Sequence, residues 1–223
     1  MTKSENQRIL LKLSGESLMG SENYGIELEV IDKIANDIKN LRENNIQTCI
    51  VIGGGNIFRG LAASAKGMER ANADYIGMLA TVMNSLGLQN GLEKLSLETR
   101  VMSAFPIQSI CETYIRRRAI RHMEKGRIVI CAAGTGNPYF STDTAAALRA
   151  AELECNCIFK ATQVDGIYDK DPKKHTDAKE VNAISYDDYL ASNLQIMDSS
   201  AVAIARENNI PIKVFSIREK NAF

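Results

Sequence analysis

Short apolar runs alternate with helix-forming segments along most of this chain of 223 residues. Three of the runs, at Arg8–Ser14, Ile46–Ile52 and Arg127–Ala132, are each followed within two residues by glycine. Unbroken apolar runs suit strands that are covered on both faces, and alternation of strands with helices is typical of a parallel sheet. The sequence therefore predicts an α/β fold in which a mainly parallel, twisted sheet carries helices on both faces, an α/β/α sandwich.

The same patterns predict the remaining elements. Apolar runs indicate further strands at Thr99–Ala104, Cys157–Ala161 and Pro211–Ile217. Helical spacing of apolar residues predicts helices at Glu27–Asn44, Met68–Leu95, Ile110–Lys125, Asp143–Glu154, Ser185–Ala191 and Asp198–Glu207.

Composition excludes several classes of function. The 27 basic and 27 acidic residues cancel and tryptophan is absent, which disfavours a nucleic-acid-binding surface. Five cysteines, an odd number that fits a reducing cytosol, include a C-x-C pair at Cys155 and Cys157 whose spacing does not favour a zinc site. No apolar run is long enough for a signal peptide or a membrane span. We therefore expect a cytoplasmic protein with neither a nucleic-acid nor a membrane partner.

The stretch IVIGGGNIFRG at 50–60 combines a strand end with three consecutive glycines, Gly53 to Gly55. Glycines permit positive φ and close approach to a ligand, and successive amide groups can converge on an anion. Asn56 is a candidate N-cap for a following helix, and Arg59, one turn into that helix, could form a bidentate fork for phosphate. The alternative is a tight strand-to-helix turn with a solvated arginine.

Two other turns have the same character. Lys12 is a cation inside an apolar strand, close to its carboxyl end, where α/β proteins bind ligands; the alternative is a lysine on an edge strand that extends its charged group into water. The turn GTGNPYFSTD at Gly134–Asp143 offers hydroxyl groups for phosphate or a nucleobase. The P-loop, dinucleotide and serine-hydrolase motifs are absent from the sequence. Three turns that carry groups suited to binding an anion lie at one edge of the predicted sheet, which indicates a site for phosphate-bearing ligands.

Other features have plainer interpretations. The arginine cluster Arg116–Arg121 is typical of a solvated helix face, and Asp74 taken alone is an ordinary surface carboxylate. Gly77 and Gly87 in the long helix indicate close packing of another helix, either of this chain or of a second subunit. The apolar face of that helix is predicted to comprise Ile76, Leu79, Val82, Met83 and Leu86.

The segments KLSGE, VIGGGNIFRG, GTGNPYFSTD and KATQVDGIYDKDP resemble, in this order, those of the bacterial uridylate kinases of the amino-acid-kinase family. The resemblance runs from Arg8 to Ile217 and implies one domain, with roughly 1–150 binding the acceptor and roughly 151–223 binding ATP. It implies transfer of the ATP γ-phosphoryl group to UMP in pyrimidine nucleotide biosynthesis, with Mg²⁺ accompanying ATP. It also implies a homohexamer that GTP activates and UTP inhibits. The family usually continues beyond Phe223 to a final strand, so either the chain is truncated or the sheet lacks an edge strand.

The resemblance also implies roles for individual residues. Lys12, Asp143 and Asp198 are the implied catalytic residues; the two acids either orient Lys12 or hold Mg²⁺, and no residue is assigned as a dedicated metal ligand. The implied ATP contacts are Lys12, Leu13, Ser14, Gly15, Gly55, Arg59, Thr162, Gln163, Tyr168 and Asp171. The implied UMP contacts are Gly54, Asp74, Thr135, Gly136, Asn137, Pro138, Tyr139, Phe140, Ser141 and Thr142. The implied GTP-activation region is Gly20, Ser21, Glu22, Asn23, Tyr24 and Gly25.

Two alternatives remain open at this point. One is a related kinase of the same family that phosphorylates a carboxylate or a carbamate, against which Asp74 and the GTGNPYFSTD turn favour a nucleotide acceptor. The other is a catalytically silent nucleotide-binding regulator, which the presence of Lys12 and Asp198 disfavours.

Overall fold

The fold is built on one parallel sheet, described here from a computed structural model covering residues 7–60, 65–162, 166, 168, 178–179, 181–192, 194 and 196–216. Its strands lie in the order β4-β3-β5-β2-β1-β6-β7, and all six pairings are parallel. This confirms the predicted sheet. The strands are β1 (Arg8–Leu13), β2 (Gln47–Ile52), β3 (Thr99–Ser103), β4 (Glu112–Thr113), β5 (Ile128–Ala132), β6 (Cys157–Thr162) and β7 (Ile212–Ser216).

Helices cover both faces of the sheet, as predicted. They are α1 (Leu28–Glu43), α2 (Arg70–Lys94), α3 (Arg116–Glu124), α4 (Thr142–Glu152), α5 (Tyr186–Ala191) and α6 (Ser199–Glu207), with a 3-10 turn at Gly15–Leu18. Because side chains alternate along a strand, Leu10 and Val129 face the core under α3 to α6, whereas Leu11 and Ile128 face the core under α1 and α2. Within the described ranges, none of these helices is long and apolar enough to cross a membrane.

The region predicted as a helix over Ile110–Lys125 folds differently at its start. Glu112 and Thr113 pair with Met102 and Ser103 as a short edge strand, and the helix begins only at Arg116. The backbone of this segment satisfies its hydrogen bonds on the open edge of β3 instead of in a helical turn, as in the 2.8 Å bond from the Tyr114 amide to the Ser103 carbonyl. The arginines of α3 are exposed, which confirms the solvated-face interpretation of the cluster.

The apolar face predicted for the long helix is partly wrong. Val82 is buried, but Ile76, Leu79 and Met83 are 38%, 49% and 54% exposed. The core side of α2 instead carries many small residues, and a Cβ added at Gly91 would overlap the side chain of Ile31 on α1. The core side of α2 thus combines small residues at the close contact with α1 and larger buried residues such as Leu88 and Leu92, whereas Ile76, Leu79 and Met83 lie on the outer surface.

Of the glycines after β2, Gly53 and Gly54 are required by close packing rather than by backbone conformation. None of Gly53, Gly54 and Gly55 has a positive φ, so the conformational prediction was wrong. A Cβ added at Gly54 would lie 2.7 Å from the Gly77 carbonyl oxygen, whereas one at Gly55 would meet nothing within 4 Å. Gly54 therefore lets the turn approach α2, and Gly55 keeps the opposite side of the turn open.

We expect Gly54→Ala to destabilise the protein by about 1–3 kcal/mol, because overpacking here pushes against helix backbone. Gly55→Ala is the matched control, and the free energy of unfolding should change by less than about 1 kcal/mol. Urea unfolding of both variants measures the difference. Equal destabilisation by the two substitutions would contradict this account of the turn.

Candidate active site

A cleft of about 760 Å³ opens at the carboxyl edge of the sheet. Its walls come from the glycine turn after β2, the first turns of α2, the turn after β5 and the start of α6. The cleft brings together many of the residues predicted for the site, namely Gly54, Gly55, Arg59, Asp74, Tyr139, Phe140, Ser141, Thr142 and Asp198. Segments far apart in the sequence therefore meet where the strand-end argument expected them.

A buried ion cluster lies beside this cleft. Lys12 on β1 and Lys160 on β6 are register partners, and both face Asp143 in the first turn of α4. The Lys12 Nζ is 2.7 Å from Asp143 Oδ1, and the Lys160 Nζ is 2.6 Å from Asp143 Oδ2. Lys160 also donates to the Ile196 carbonyl. Two ammonium groups and one carboxylate leave a net positive charge at the strand ends, which favours an anion there.

The protonation of the cluster follows from the balance of burial and charge. Burial raises the pKa of the Asp143 carboxyl, but the ammonium groups of Lys12 and Lys160 outweigh it and hold the pKa below its usual value. Burial and the neighbouring Lys12 charge lower the pKa of Lys160, against the opposing effect of Asp143. Asp143 is thus an ionised anchor for two lysines rather than a proton acceptor.

Lys160 is a site residue that the sequence interpretation missed. It is 7% exposed and makes two hydrogen bonds, one to Asp143 and one to a main-chain carbonyl. The signal that singled out Lys12, a cation near the carboxyl end of an apolar strand, is equally present in CIFKAT at 157–162. The same criterion, applied to every strand, would have found it.

The turn after β5 has an unusual backbone. Gly134 and Gly136 have φ of 58° and 82°, and Tyr139, which is not glycine, has φ of 72°. Ser141 caps α4 by accepting from the Thr144 amide at 3.2 Å. The Tyr139 amide donates to Asp74 Oδ2 at 2.8 Å, which ties this turn to α2. Of the predicted acceptor contacts, Thr135, Gly136, Asn137 and Pro138 belong to the same turn but lie outside the lining of the cleft.

Asn56 has a different role from the predicted helix cap. Its side chain is buried, and its Nδ2 donates to the Gly25 carbonyl at 2.8 Å and to Asn84 Oδ1 at 2.9 Å. Asn84 returns a bond to Asn56 Oδ1 and donates to the Gly53 carbonyl, both at 2.7 Å. Asn56 thus joins the glycine turn to α2 and to the loop ending at Gly25.

The segment after β1 is shaped by its backbone. Leu13 is a core residue whose carbonyl accepts from the Gly53 amide at 2.9 Å. Ser14 caps the 3-10 turn, and a Cβ on Gly15 would lie 2.7 Å from the Gly53 carbonyl oxygen. Arg59 lies in irregular backbone, not one turn into a helix as predicted, and its guanidinium is 2.6 Å from Glu16.

The remaining predicted positions lie farther from the cleft or outside the description. Thr162 ends β6 and Tyr168 is half-buried, and neither lines the cleft, whereas Asp198 lines it and is exposed at the start of α6. Gln163 and Asp171 lie outside the described residues. The segment Gly20–Gly25 is a largely exposed loop.

Comparison with known proteins places this arrangement among phosphotransferases. The model of the amino acid kinase family matches residues 7–216. The chain is 58% identical to uridylate kinases of Ehrlichia canis and Zymomonas mobilis, covering 97% of this chain and 89% of each relative. The solved UMP kinase of Bacillus anthracis superposes with a TM-score of 0.92 at 40% identity, over 96% of this chain and 88% of that one.

We expect Asp143→Asn to lower the free energy of unfolding by about 3–5 kcal/mol at pH 7, because it leaves two buried ammonium groups without a counter-charge. The native pKa of Asp143 lies below its unfolded value, so its stabilising effect is present above the unfolded pKa and is lost as pH falls through the native pKa. Urea unfolding of both proteins between pH 7 and pH 3 should show the difference shrinking below about pH 4. A difference that is constant over this range would contradict the assigned charge state.

Proposed function

We infer that this chain, which belongs to the amino acid kinase family and within it to the uridylate kinases, transfers the γ-phosphoryl group of ATP to UMP and releases ADP and UDP. This reaction belongs to pyrimidine nucleotide synthesis. The observation that carries the inference is the pairing of Lys12 and Lys160 through Asp143 beside a cleft lined by Asp74 and the turn after β5. That arrangement has cationic groups where phosphates would meet and polar groups where a nucleoside would lie.

The proposed reaction does not require a protein side chain to act as a strong proton acceptor. The attacking atom is an ionised phosphate oxygen, so no strong general base is needed. The main obstacle is repulsion between two polyanions, which amounts to several kcal/mol for unit charges ~4 Å apart at an effective dielectric near 20. Lys12 and Lys160, the amide groups of the glycine turn and the first turns of α4 and α6 offset that repulsion and stabilise charge on the transferred group.

We assign Lys12 to direct contact with the reacting phosphates, Asp143 to holding Lys12, and Asp198 to holding the Mg²⁺ that accompanies ATP. Gly54, Asp74 and the hydroxyl-rich turn after β5 form the acceptor subsite, supported by their common position in the cleft. ATP lies along Lys12–Gly15, Gly55 and Arg59, with its base and ribose toward Thr162 and Tyr168 and toward Gln163 and Asp171. Residues 1–150 thus supply the acceptor contacts and six of the ten ATP contacts, and residues 151–223 supply the contacts to the base and ribose of ATP.

A divalent cation accompanies ATP in this proposal, and we assign it as Mg²⁺. No group of three or more histidine, cysteine, aspartate or glutamate side chains suited to a metal ion occurs in the part of the chain that is described. Mg²⁺ usually keeps several waters and binds through one or two carboxylates and substrate phosphates, so a single carboxylate at the cleft is enough to hold it together with ATP. Asp198, exposed at the cleft, is the carboxylate that would hold it. The ion supplies charge neutralisation between the phosphates.

We propose that the protein forms homo-oligomers, a hexamer by analogy with the family. Tyr75, Ile76, Leu79 and Met83 form an exposed apolar stripe along α2 with helical spacing. Exposed contiguous apolar surface is typical of an interaction site, and a second copy of α2 would bury it. A cytoplasmic location is supported by the five free cysteines.

We also propose that GTP activates and UTP inhibits the enzyme, with Gly20–Gly25 as the responsive segment for GTP. The support is the bond network of Asn56, which joins Gly25 to the glycine turn of the cleft. A change in the conformation of this loop can therefore reach the proposed phosphate site through the hydrogen bonds of Asn56.

Lys12→Ala should lower kcat for UMP by at least about 100-fold, because it removes a charge that acts on the transferred phosphoryl group. Coupled ADP-release assays with UMP, CMP, dUMP, AMP, aspartate and acetylglutamate, with and without GTP, measure the effect and the acceptor preference. Arg206→Gln, which removes an exposed ion pair with Asp187, is the matched control.

Wild-type turnover in Lys12→Ala would refute the assigned role of Lys12. Turnover of aspartate or acetylglutamate, but not of UMP, would favour the carboxylate-kinase alternative. Nucleotide binding without ADP release would favour the silent regulator.

Leu79→Glu and Met83→Glu should reduce the oligomer to smaller species, since each places a charge in the apolar stripe. Light scattering after size-exclusion chromatography gives the mass directly. Leu28→Glu, at an exposed leucine on α1, is the control and should leave the mass unchanged. An unchanged mass in both α2 variants would exclude the stripe as a subunit contact.

A further inference from the structure

Arg70 on α2 holds the carboxylate of Asp74 in a fixed orientation. The Arg70 Nε lies 2.9 Å from both Oδ1 and Oδ2 of Asp74, one helical turn farther along. The Asp74 side chain is only 13% exposed, compared with 35% for Arg70. Such a charge-assisted contact between a partly buried carboxylate and a guanidinium restricts both side chains.

The same arginine contacts the opposite wall of the cleft. Its guanidinium carbon lies 5.6 Å from the centre of the Tyr139 ring, within the range of cation–π contacts. The Tyr139 amide donates to Asp74 Oδ2 at 2.8 Å. Arg70, Asp74 and Tyr139 therefore form a closed clamp between α2 and the turn after β5. Tyr139 holds a positive φ, a conformation that a non-glycine residue keeps only when its surroundings impose it.

The clamp leaves Asp74 able to bind a ligand. A carboxylate offers about four acceptor positions, and the contacts from Arg70 and the Tyr139 amide occupy three. The free position is on Oδ1. A Cβ added at Gly60 would lie 3.2 Å from that oxygen, so the absence of a side chain at Gly60 keeps it accessible. A hydroxyl group of a ligand can therefore reach Asp74 while the clamp stays closed.

The charge of Asp74 also needs a partner. A lone carboxylate in a cleft that receives a phosphate-bearing acceptor would repel it. The guanidinium of Arg70 provides the counter-charge for the Asp74 carboxylate and so reduces its repulsion of an incoming phosphate.

We propose that Arg70 is a positioning residue for the nucleotide acceptor: it orients Asp74 toward a sugar hydroxyl, removes the carboxylate's repulsion of the acceptor phosphate and ties the turn after β5 to α2. The proposal rests on the proposed function, because it takes the acceptor to be a nucleoside monophosphate. It assigns to Arg70 a role that acts through Asp74 and Tyr139.

The test is steady-state kinetics of Arg70→Gln, Arg70→Lys, Asp74→Asn and the double variant Arg70→Gln/Asp74→Asn, with Arg206→Gln as the matched control. Arg70→Gln should raise the KM for UMP by about tenfold or more while the KM for ATP changes less than about twofold. Arg70→Lys should recover part of the loss, since it keeps the charge without the planar fork. In the Asp74→Asn background, Arg70→Gln should have less than about a twofold further effect, as expected when one residue acts through the other.

The outcomes separate the proposal from its premise. If the wild-type protein fails to phosphorylate UMP, the proposed function fails whatever Arg70 does. If the wild-type protein turns over UMP, three results would each overturn the role of Arg70: an unchanged KM for UMP in Arg70→Gln, equal increases of both KM values, or full multiplicative effects in the double variant. A loss of folded protein alone lowers the apparent kcat but leaves both KM values unchanged, so a purely structural role would not produce the expected split.

Discussion

The site depends on one buried carboxylate that holds two lysines. Removing three charged groups from water carries a large free-energy penalty, and Asp143 offsets it only because Lys12 and Lys160 both lie within 2.7 Å of its oxygens. The cluster joins β1, β6 and α4 at the strand ends. Its excess positive charge is stabilised by the fold before any ligand arrives, which is how preorganised electrostatic sites avoid reorganisation during reaction.

Around this cluster, backbone segments lie in direct contact with one another, because the residues at the contact points are glycines without side chains. The turns after β1 and β2 touch through Gly15 and Gly53, and the turn after β2 touches α2 through Gly54. The reciprocal amide pair of Asn56 and Asn84 then satisfies the polar groups that such packing buries. Phosphate sites built in this way present main-chain amide groups at fixed positions, and they leave little room for substitutions in the turns.

Much of the fold and part of the site could be predicted from the sequence, for identifiable physical reasons. Runs such as RILLKL and QTCIVI, in alternation with helical segments, are typical of parallel strands that are covered on both faces, so the strands and their carboxyl ends could be predicted. Local patterns could not show that Glu112 and Thr113 complete an edge, or that α2 turns Leu79 and Met83 outward, because partners distant in sequence decide both. The contacts of Asn56 and Arg70 likewise depend on tertiary neighbours, whereas Lys160 was visible in the sequence and was overlooked.

The strand order places β1, the most N-terminal of the described strands, in the interior of the sheet between β2 and β6. Lys12 therefore leaves the ribosome long before Asp143 and β6, which enclose it in the folded protein. Until β6 is made, one edge of β1 has no neighbouring strand, and Lys12, which is buried in the folded protein, is exposed to water. Closure of the sheet around β1 thus follows the synthesis of β6, and the cluster of Lys12, Asp143 and Lys160 forms only when the second half of the chain docks onto the first.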